Sequence, residues 1–346
     1  MLPIVRRLPM DDAAAAARWD DFVLGAPQAT FFHRAGWQQI LHTIFRYETH
    51  FLFAEVDGRI EGILPLARVK TLLFGHSLVS LPFAVYGGVA ASNEQAAEAL
   101  EHAAQELARK LGVAHLELRN IALRHDAWPM QDLYVTFRKE ILPDEQANLL
   151  AIPRKQRAMV RKGIAHGLRS QVDPGADRFY ALYADNVHRH GTPGLPRRYF
   201  EALRREFGAD CEVQTVTDKD GRPLSSVFSF YFRDEVLPYY AGDALAAREV
   251  AANDFKYWEL MRRACERGLR LFDYGRSKRG TGSYSFKKNW GFEPQPLHYE
   301  YCLYKRDSVP QTNPSNPKFR LLIEAWRRMP IGMANWLGPI VVRGLG

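Results

Sequence analysis

Asp273, Arg276, Tyr284 and Lys287 fall close together in the last third of the chain, among glycines and aromatic side chains. A carboxylate, a guanidinium, a phenol and an ammonium at this spacing could steady a developing oxyanion and move a proton. Lys287 is the candidate for the charge-stabilising role, its helix face held by Phe286 and Trp290 one turn apart. Lys288 reads as a solvated neighbour. Asp273 and Arg276 end a strand in a glycine-containing turn. Asp273 either accepts a proton or pairs with Arg276 and holds the loop, and the pairing is preferred. Tyr284 either hydrogen-bonds substrate or packs. Tyr239 and Tyr240 alternate along a strand, so only one can face a cleft, and Tyr240 lies nearer the strand end.

A second constellation is a charge run. Arg154, Lys155, Arg157, Arg161, Lys162 and Arg169 lie in a stretch with no acid between Glu145 and Asp173. Arg154, Arg157 and Arg161 share one helical face and would suit the phosphates of a nucleotide or lipid-linked substrate. The plain alternative is a solvated face. His188 and His190 precede the loop Gly191 to Pro196. Alternate histidines bind metal only if a third ligand converges, and none is visible, so no metal is expected. His33, beside Phe31 and Phe32, reads as a capping or core histidine.

The elements that must position these groups follow one plan twice. Phe51 to Val56 reads as a strand, Asp57-Gly58 as a hairpin turn, and Ile60 to Val69 as a second strand, with extended chain from Ser77 to Val89. A helix follows from Asn93, a good N-cap, to Leu111; Gly112 stops it, and Val113 to Leu118 is again a strand. In the second round, Cys211 to Val216 is a strand and Asp220-Gly221 a turn. Leu224 to Phe232 and Val236 to Tyr240 are strands, and a helix runs from Asn253 to Gly268 before the strand Leu269 to Asp273. The turn glycines 58 and 221, and the helix-ending glycines 112 and 268, are offset by about 160 residues. Duplication explains that order. The seam falls at 144–153, giving domains 1–145 and 146–306 and a basic amphipathic tail, 307–346. The tail carries a helix around Phe319, Leu322, Ile323 and Trp326, then an apolar stretch broken by proline and glycine, too short to span a bilayer.

The run Phe272-Asp273-Tyr274-Gly275-Arg276-Ser277, with Gly280, Gly282, Tyr284, Phe286-Lys287 and Trp290-Gly291, resembles the FemAB-type peptidyltransferases, a tandem GNAT family. Within it, the chain is similar to the FemAB-related proteins of exosortase/PEP-CTERM systems. Trp37, Asp57-Gly58, Tyr86-Gly87-Gly88 and the tail segment Asn316 to Arg320 with Trp326 carry the same likeness, so it spans nearly the whole chain. The resemblance implies an α/β fold of two tandem GNAT-like domains, with mixed central sheets flanked by helices. It implies transfer of an aminoacyl or other acyl group to an amine of a nucleotide- or lipid-linked cell-envelope precursor. Catalysis would then centre on Lys287, Asp273 and Tyr284, with Arg154, Arg157, Arg161, Tyr240, Arg276 and Phe286 binding substrate. A long heptad segment of the best-known members is missing, so the donor stays open between aminoacyl-tRNA and acyl-CoA. The loop Asp243 to Asn253, where acetyl-CoA enzymes hold the pyrophosphate on bare backbone N–H groups, contains no glycine. No resident cofactor is expected.

Composition fits this reading and narrows it little. Of the 346 residues, 47% are hydrophobic and 25% charged, enough for a proper core. Forty-seven Lys and Arg against 39 Asp and Glu leave a net charge of +8, which suits an anionic partner. Three scattered cysteines and no apolar run of spanning length lead to the expectation of a reduced, cytoplasmic protein. The basic tail, with Trp326, Trp336 and Ile340, would either seat it on the inner face of the membrane, or dock on its own domain or a second subunit. Two other readings stand beside the first: an acetyl-CoA-dependent N-acetyltransferase acting on an amino sugar, and a non-catalytic module binding a nucleotide-sugar or glycan. The oligomeric state is not legible.

Overall fold

The computed structural model describes residues 2–71, 75–310 and 317–344. The first part of the chain forms strands β1 (Ile4–Arg7), β2 (Glu48–Val56), β3 (Arg59–Thr71), β4 (Gly75–Ser80), β5 (Ala90–Ala91), β6 (His115–Asn120) and β7 (Met130–Gln131). Then come β8 (Tyr134–Glu140), β9 (Arg169–Asp173), β10 (Cys211–Thr217), β11 (Pro223–Phe232), β12 (Glu235–Asp243), β13 (Leu271–Asp273), β14 (Ser277–Lys278), β15 (Pro294–Pro296) and β16 (His298–Leu303). They make two mixed sheets. One runs β1-β2-β3-β4-β6-β16-β7 with β5 on β3, the other β14-β8-β13-β12-β11-β10-β9 with β15 on β8.

The expected repeat is present in both sheets. In each, two antiparallel hairpin strands lead to a third, a helix crosses over, and the next strand returns parallel to the third. The crossover helices are Glu94–Leu111 and Ala252–Glu266, and the parallel pairs are β4/β6 and β12/β13. The punctuation works as the residue types require. Asn93 accepts from the Ala96 N–H, and Gly112 takes the left-handed conformation at φ 64°. Buried Leu64, Leu66, Leu100 and Leu116 fill the first core; Val135, Phe137, Trp258, Phe272 and Trp290 fill the second. Each such side chain contributes about 1.5–3 kcal/mol.

The boundaries expected at 145 and 306 do not coincide with the compact units. One comprises Met1–Asp132, Pro296–Thr312 and Arg343–Gly346, the other Leu133–Gln295 and Asn313–Val342. The difference lies in two strands. β8 pairs antiparallel with β13, in the second sheet, and β16 pairs antiparallel with β6, in the first. A strand has no hydrophobic pattern that names its sheet; only pairing decides.

The tail also differs from its expected form. Residues 331–342 are one helix, Ile331–Val342, with Pro339 inside it. A mid-helix proline costs about 3 kcal/mol. Ala334, Gly338 and Val342 are the buried positions of this helix. The preceding helix is Pro317–Arg328. The break at 313–316 lies outside the described residues, as do the side chains of Lys318, Phe319 and Arg320.

Candidate functional site

Strands β12 and β13 run parallel and are in register only at Glu235 with Leu271 and Val236 with Phe272. β13 ends one residue later, at Asp273, while β12 continues to Asp243. Carboxyl ends of parallel strands are where α/β sheets place ligands, because the chain leaves the sheet there in loops. The loop leaving β13 here is Tyr274 to Arg276.

Lys287 lies beneath that loop. It belongs to the short helix Gly282–Asn289, capped by Thr281, whose hydroxyl accepts from the Tyr284 N–H. The side chain is buried, and Nζ donates to the carbonyl oxygens of Tyr274 at 2.7 Å, Gly275 at 3.1 Å and Arg276 at 3.2 Å. The rings of Phe137 and Tyr274 flank the ammonium at 5.6 and 5.7 Å. Burial pushes the Lys287 pKa down to about 7, against the upward pull of Asp273. Three converging carbonyls are satisfied only by an amine carrying three hydrogens, so this geometry selects the protonated form.

Asp273 is fully buried. It accepts from the Gly275 N–H at 2.7 Å, and its Oδ2 lies 3.2 Å from Nε of Arg138 on β8. The carboxylate thus holds the loop, with Arg138 as a partner. That cation sits 135 positions earlier in the chain, where no spacing argument reaches it. Arg276 is exposed, its guanidinium 4.6 Å from the Tyr134 ring centre. Tyr284 packs edge-on against Phe137 at 5.4 Å, and Phe286 packs on Tyr257 at 5.6 Å. These five side chains surround one loop, as their clustering in sequence implied.

The remaining candidates do not join them. The Tyr240 hydroxyl shares a 2.8 Å hydrogen bond with that of Tyr199, inside a cluster containing Tyr183, Phe200 and Phe228. Burial drives its pKa well above the usual phenol range, so it stays neutral. A bulge at Tyr239, which breaks the register of β12 on β11, replaces the simple alternation expected for this tyrosine pair. Arg154, Arg157 and Arg161 do share one face of the helix Arg154–Ala165. The opposite face, Val160 and Gly163, is buried, and a Cβ on Gly163 would lie 2.7 Å from Cβ of Phe255. Among the described residues, no carboxylate forms an ion pair with any of the three arginines. His188 Nε2 contacts the Met329 carbonyl at 2.8 Å and His190 Nδ1 the Asn186 carbonyl at 2.6 Å, so both serve local structure. His33 caps the short helix Phe31–His33, its Nδ1 accepting from the Thr30 N–H.

Two buried polar ties carried no sequence signal. Asp254, in the first turn of Ala252–Glu266, accepts from Gln156 at 2.9 Å and from the Trp290 indole at 3.0 Å. Lys256, fully buried, donates to Asp243 at 3.0 Å, and Ser225 donates to the same carboxylate. Both carboxylates therefore stand at the start of the crossover helix, where an acetyl-CoA pyrophosphate would need bare N–H groups.

Residues 154–288 match a family described as an acetyltransferase (GNAT) domain. A UDP-N-acetylmuramoylpentapeptide-lysine N(6)-alanyltransferase of Weissella viridescens is 25% identical over 103 residues, 29% of this chain. That match spans 31% of the relative's length. Among solved structures, FemX superposes with a TM-score of 0.66 at 14% identity, covering 92% of this chain and 100% of that one. A tandem GNAT protein from the clavulanic acid biosynthesis pathway gives 0.56 at 13% identity, covering 89% of this chain and 100% of that one.

Proposed function

We propose that this chain is an acyltransferase of the FemAB type, built from tandem GNAT domains, a reading supported by the GNAT match, the alanyltransferase relative and the FemX-like fold. It transfers an aminoacyl or other acyl group to an amine of a nucleotide- or lipid-linked cell-envelope precursor. Envelope or exopolysaccharide synthesis at the cytoplasmic face of the membrane is the proposed setting, with aminoacyl-tRNA or acyl-CoA as donor. Among the described residues, no helix is long and apolar enough to cross a membrane.

The observation that supports this most is the buried Lys287 ammonium at the mouth of the β12/β13 pair. In acyl transfer the amine nitrogen attacks the carbonyl carbon, the carbonyl oxygen takes negative charge, and the leaving group departs as the nitrogen sheds a proton. Of the three carbonyls on Lys287, that of Arg276 is the farthest, at 3.2 Å, and the least buried. A substrate oxyanion displacing it would receive a charge-assisted hydrogen bond. Asp273, tied to Gly275, positions the loop; Tyr284 and Phe286 wall it; Arg154, Arg157 and Arg161 attract phosphates.

Lys287→Met should lower kcat by about 10²–10³-fold with KM little changed. The ammonium also knits the loop, so the variant's melting is measured alongside. In the unaltered protein, kcat should fall as pH rises through the Lys287 pKa of about 7. A folded variant with full turnover would remove Lys287 from the chemistry. The GNAT match across the loop after β12 gives the acetyl-CoA reading one support. Micromolar binding of acetyl-CoA by calorimetry would favour it.

A further inference from the structure

The helix Ile331–Val342 contains no charged residue, and it is apolar on both sides. A helix that is hydrophobic all round belongs in a core or against lipid. One face meets the first condition. Ala334, Gly338 and Val342, four residues apart, are buried, and a Cβ on Gly338 would lie 2.9 Å from the Gly194 carbonyl oxygen. The helix backbone therefore rests directly on the loop 191–196.

The opposite face is open. Met333, Trp336 and Ile340 are 52%, 71% and 62% exposed, and they share one ridge at spacings of three and four. Leu321 and Leu322 of the preceding helix are exposed as well, at 70% and 64%. Arg327 and Arg328 are exposed between these two groups. The sequence from 317 to 342 holds Lys318, Arg320, Arg327 and Arg328 against a single acid, Glu324.

We propose that this ridge, with its flanking arginines, seats the protein on an anionic lipid bilayer. The helix would lie in the interfacial plane. Twelve residues make a helix of about 18 Å, short of the roughly 30 Å hydrocarbon core. Trp336 and Ile340 enter the headgroup boundary while Arg327 and Arg328 meet lipid phosphates. A second copy of the chain fits the same surface poorly. A two-fold contact sets each patch against itself and would bring these arginines against their own copies. The inference deepens the placement at a membrane face proposed above. It rests on that placement for the identity of the membrane, not for the binding itself.

The test is flotation of the full chain with vesicles of phosphatidylcholine, with and without phosphatidylglycerol. The unaltered protein should float with the anionic vesicles and release as salt rises. Replacing Met333, Trp336 and Ile340 together by Ser should abolish flotation with melting unchanged, since all three are exposed. Neutralising Arg327 and Arg328 to Gln should weaken anionic-vesicle binding by about fivefold for each arginine. Turnover of a soluble acceptor should survive in these variants, so acyl transfer and docking can fail separately. The proposal is overturned if the unaltered protein stays unbound, if the serine variant floats equally well, or if that variant only converts a dimer to a monomer.

Discussion

Lys287 and His125 are buried or half-buried cations stabilised in opposite ways. Lys287 is solvated by backbone dipoles, three carbonyls of one loop. His125 stands between carboxylates: Nδ1 lies 2.6 Å from the buried Glu300 and Nε2 lies 3.5 Å from Glu101. Burial opposes the His125 charge, but Glu101 and Glu300 outweigh it and raise the pKa to about 9. A folded-state pKa above the unfolded value contributes stability that is fully present below the ordinary 6.5. It is lost as pH rises toward 9. Thermal melts should therefore show the unaltered protein losing its advantage over His125→Gln between about pH 6.5 and 9. A constant difference across that range would mean the imidazole is not charged. The ring also stacks on Trp128 at 3.9 Å, and that packing term does not titrate.

Two glycines set how closely elements approach. At Gly163 the basic helix crosses Ala252–Glu266, and at Gly242 the end of β12 lies under the helix Asp177–Arg189. Added Cβ atoms would come 2.7 Å from Phe255 Cβ and 2.3 Å from the Tyr183 nitrogen. Gly163→Ala gains up to about 1 kcal/mol of helix propensity. Overpacking costs about 1–3 kcal/mol, so the net effect should be destabilising. Gly242→Ala meets the helix backbone at Leu182 and Tyr183 and should cost at least as much. Denaturant midpoints test both; an unchanged or raised midpoint for Gly163→Ala would mean the helices can part cheaply. On the outer side of the same helix, Arg154, Arg157 and Arg161 were legible as one face from spacing alone. Which side faces outward was decided by packing: Val160 and Gly163 are buried, while the equally apolar Ala158 and Ile164 are exposed.

For the molecule as a whole, the two repeats are not two consecutive pieces of chain. A cut between residues 145 and 146 leaves the first fragment without β16 and the second without β8. The first loses the whole register of β6 with β16 and the Glu300 carboxylate that accepts from the Arg124 and His125 N–H groups. The second loses Arg138 beside the buried Asp273 and the Phe137 carbonyl that accepts from the Tyr274 N–H. Leaving a buried charge unpaired costs about 3–5 kcal/mol, and an open sheet edge invites aggregation. Neither fragment should melt cooperatively by circular dichroism when expressed alone. A cooperative melt from either would show that its borrowed strand is dispensable.

The sequence by itself determined the repeated element order, because turn glycines, N-caps and hydrophobic periodicity act over a few residues and are written locally. It likewise placed Asp273, Arg276, Tyr284, Phe286 and Lys287 around one loop, since all five come from one short segment. Only the tertiary structure decided the partners that close this site: Arg138 for Asp273, carbonyls for Lys287, Tyr199 for Tyr240. It also decided which sheet receives β8 and β16. Those contacts join residues far apart in the chain. Their energies depend on burial and distance, and neither exists until the sheets have formed.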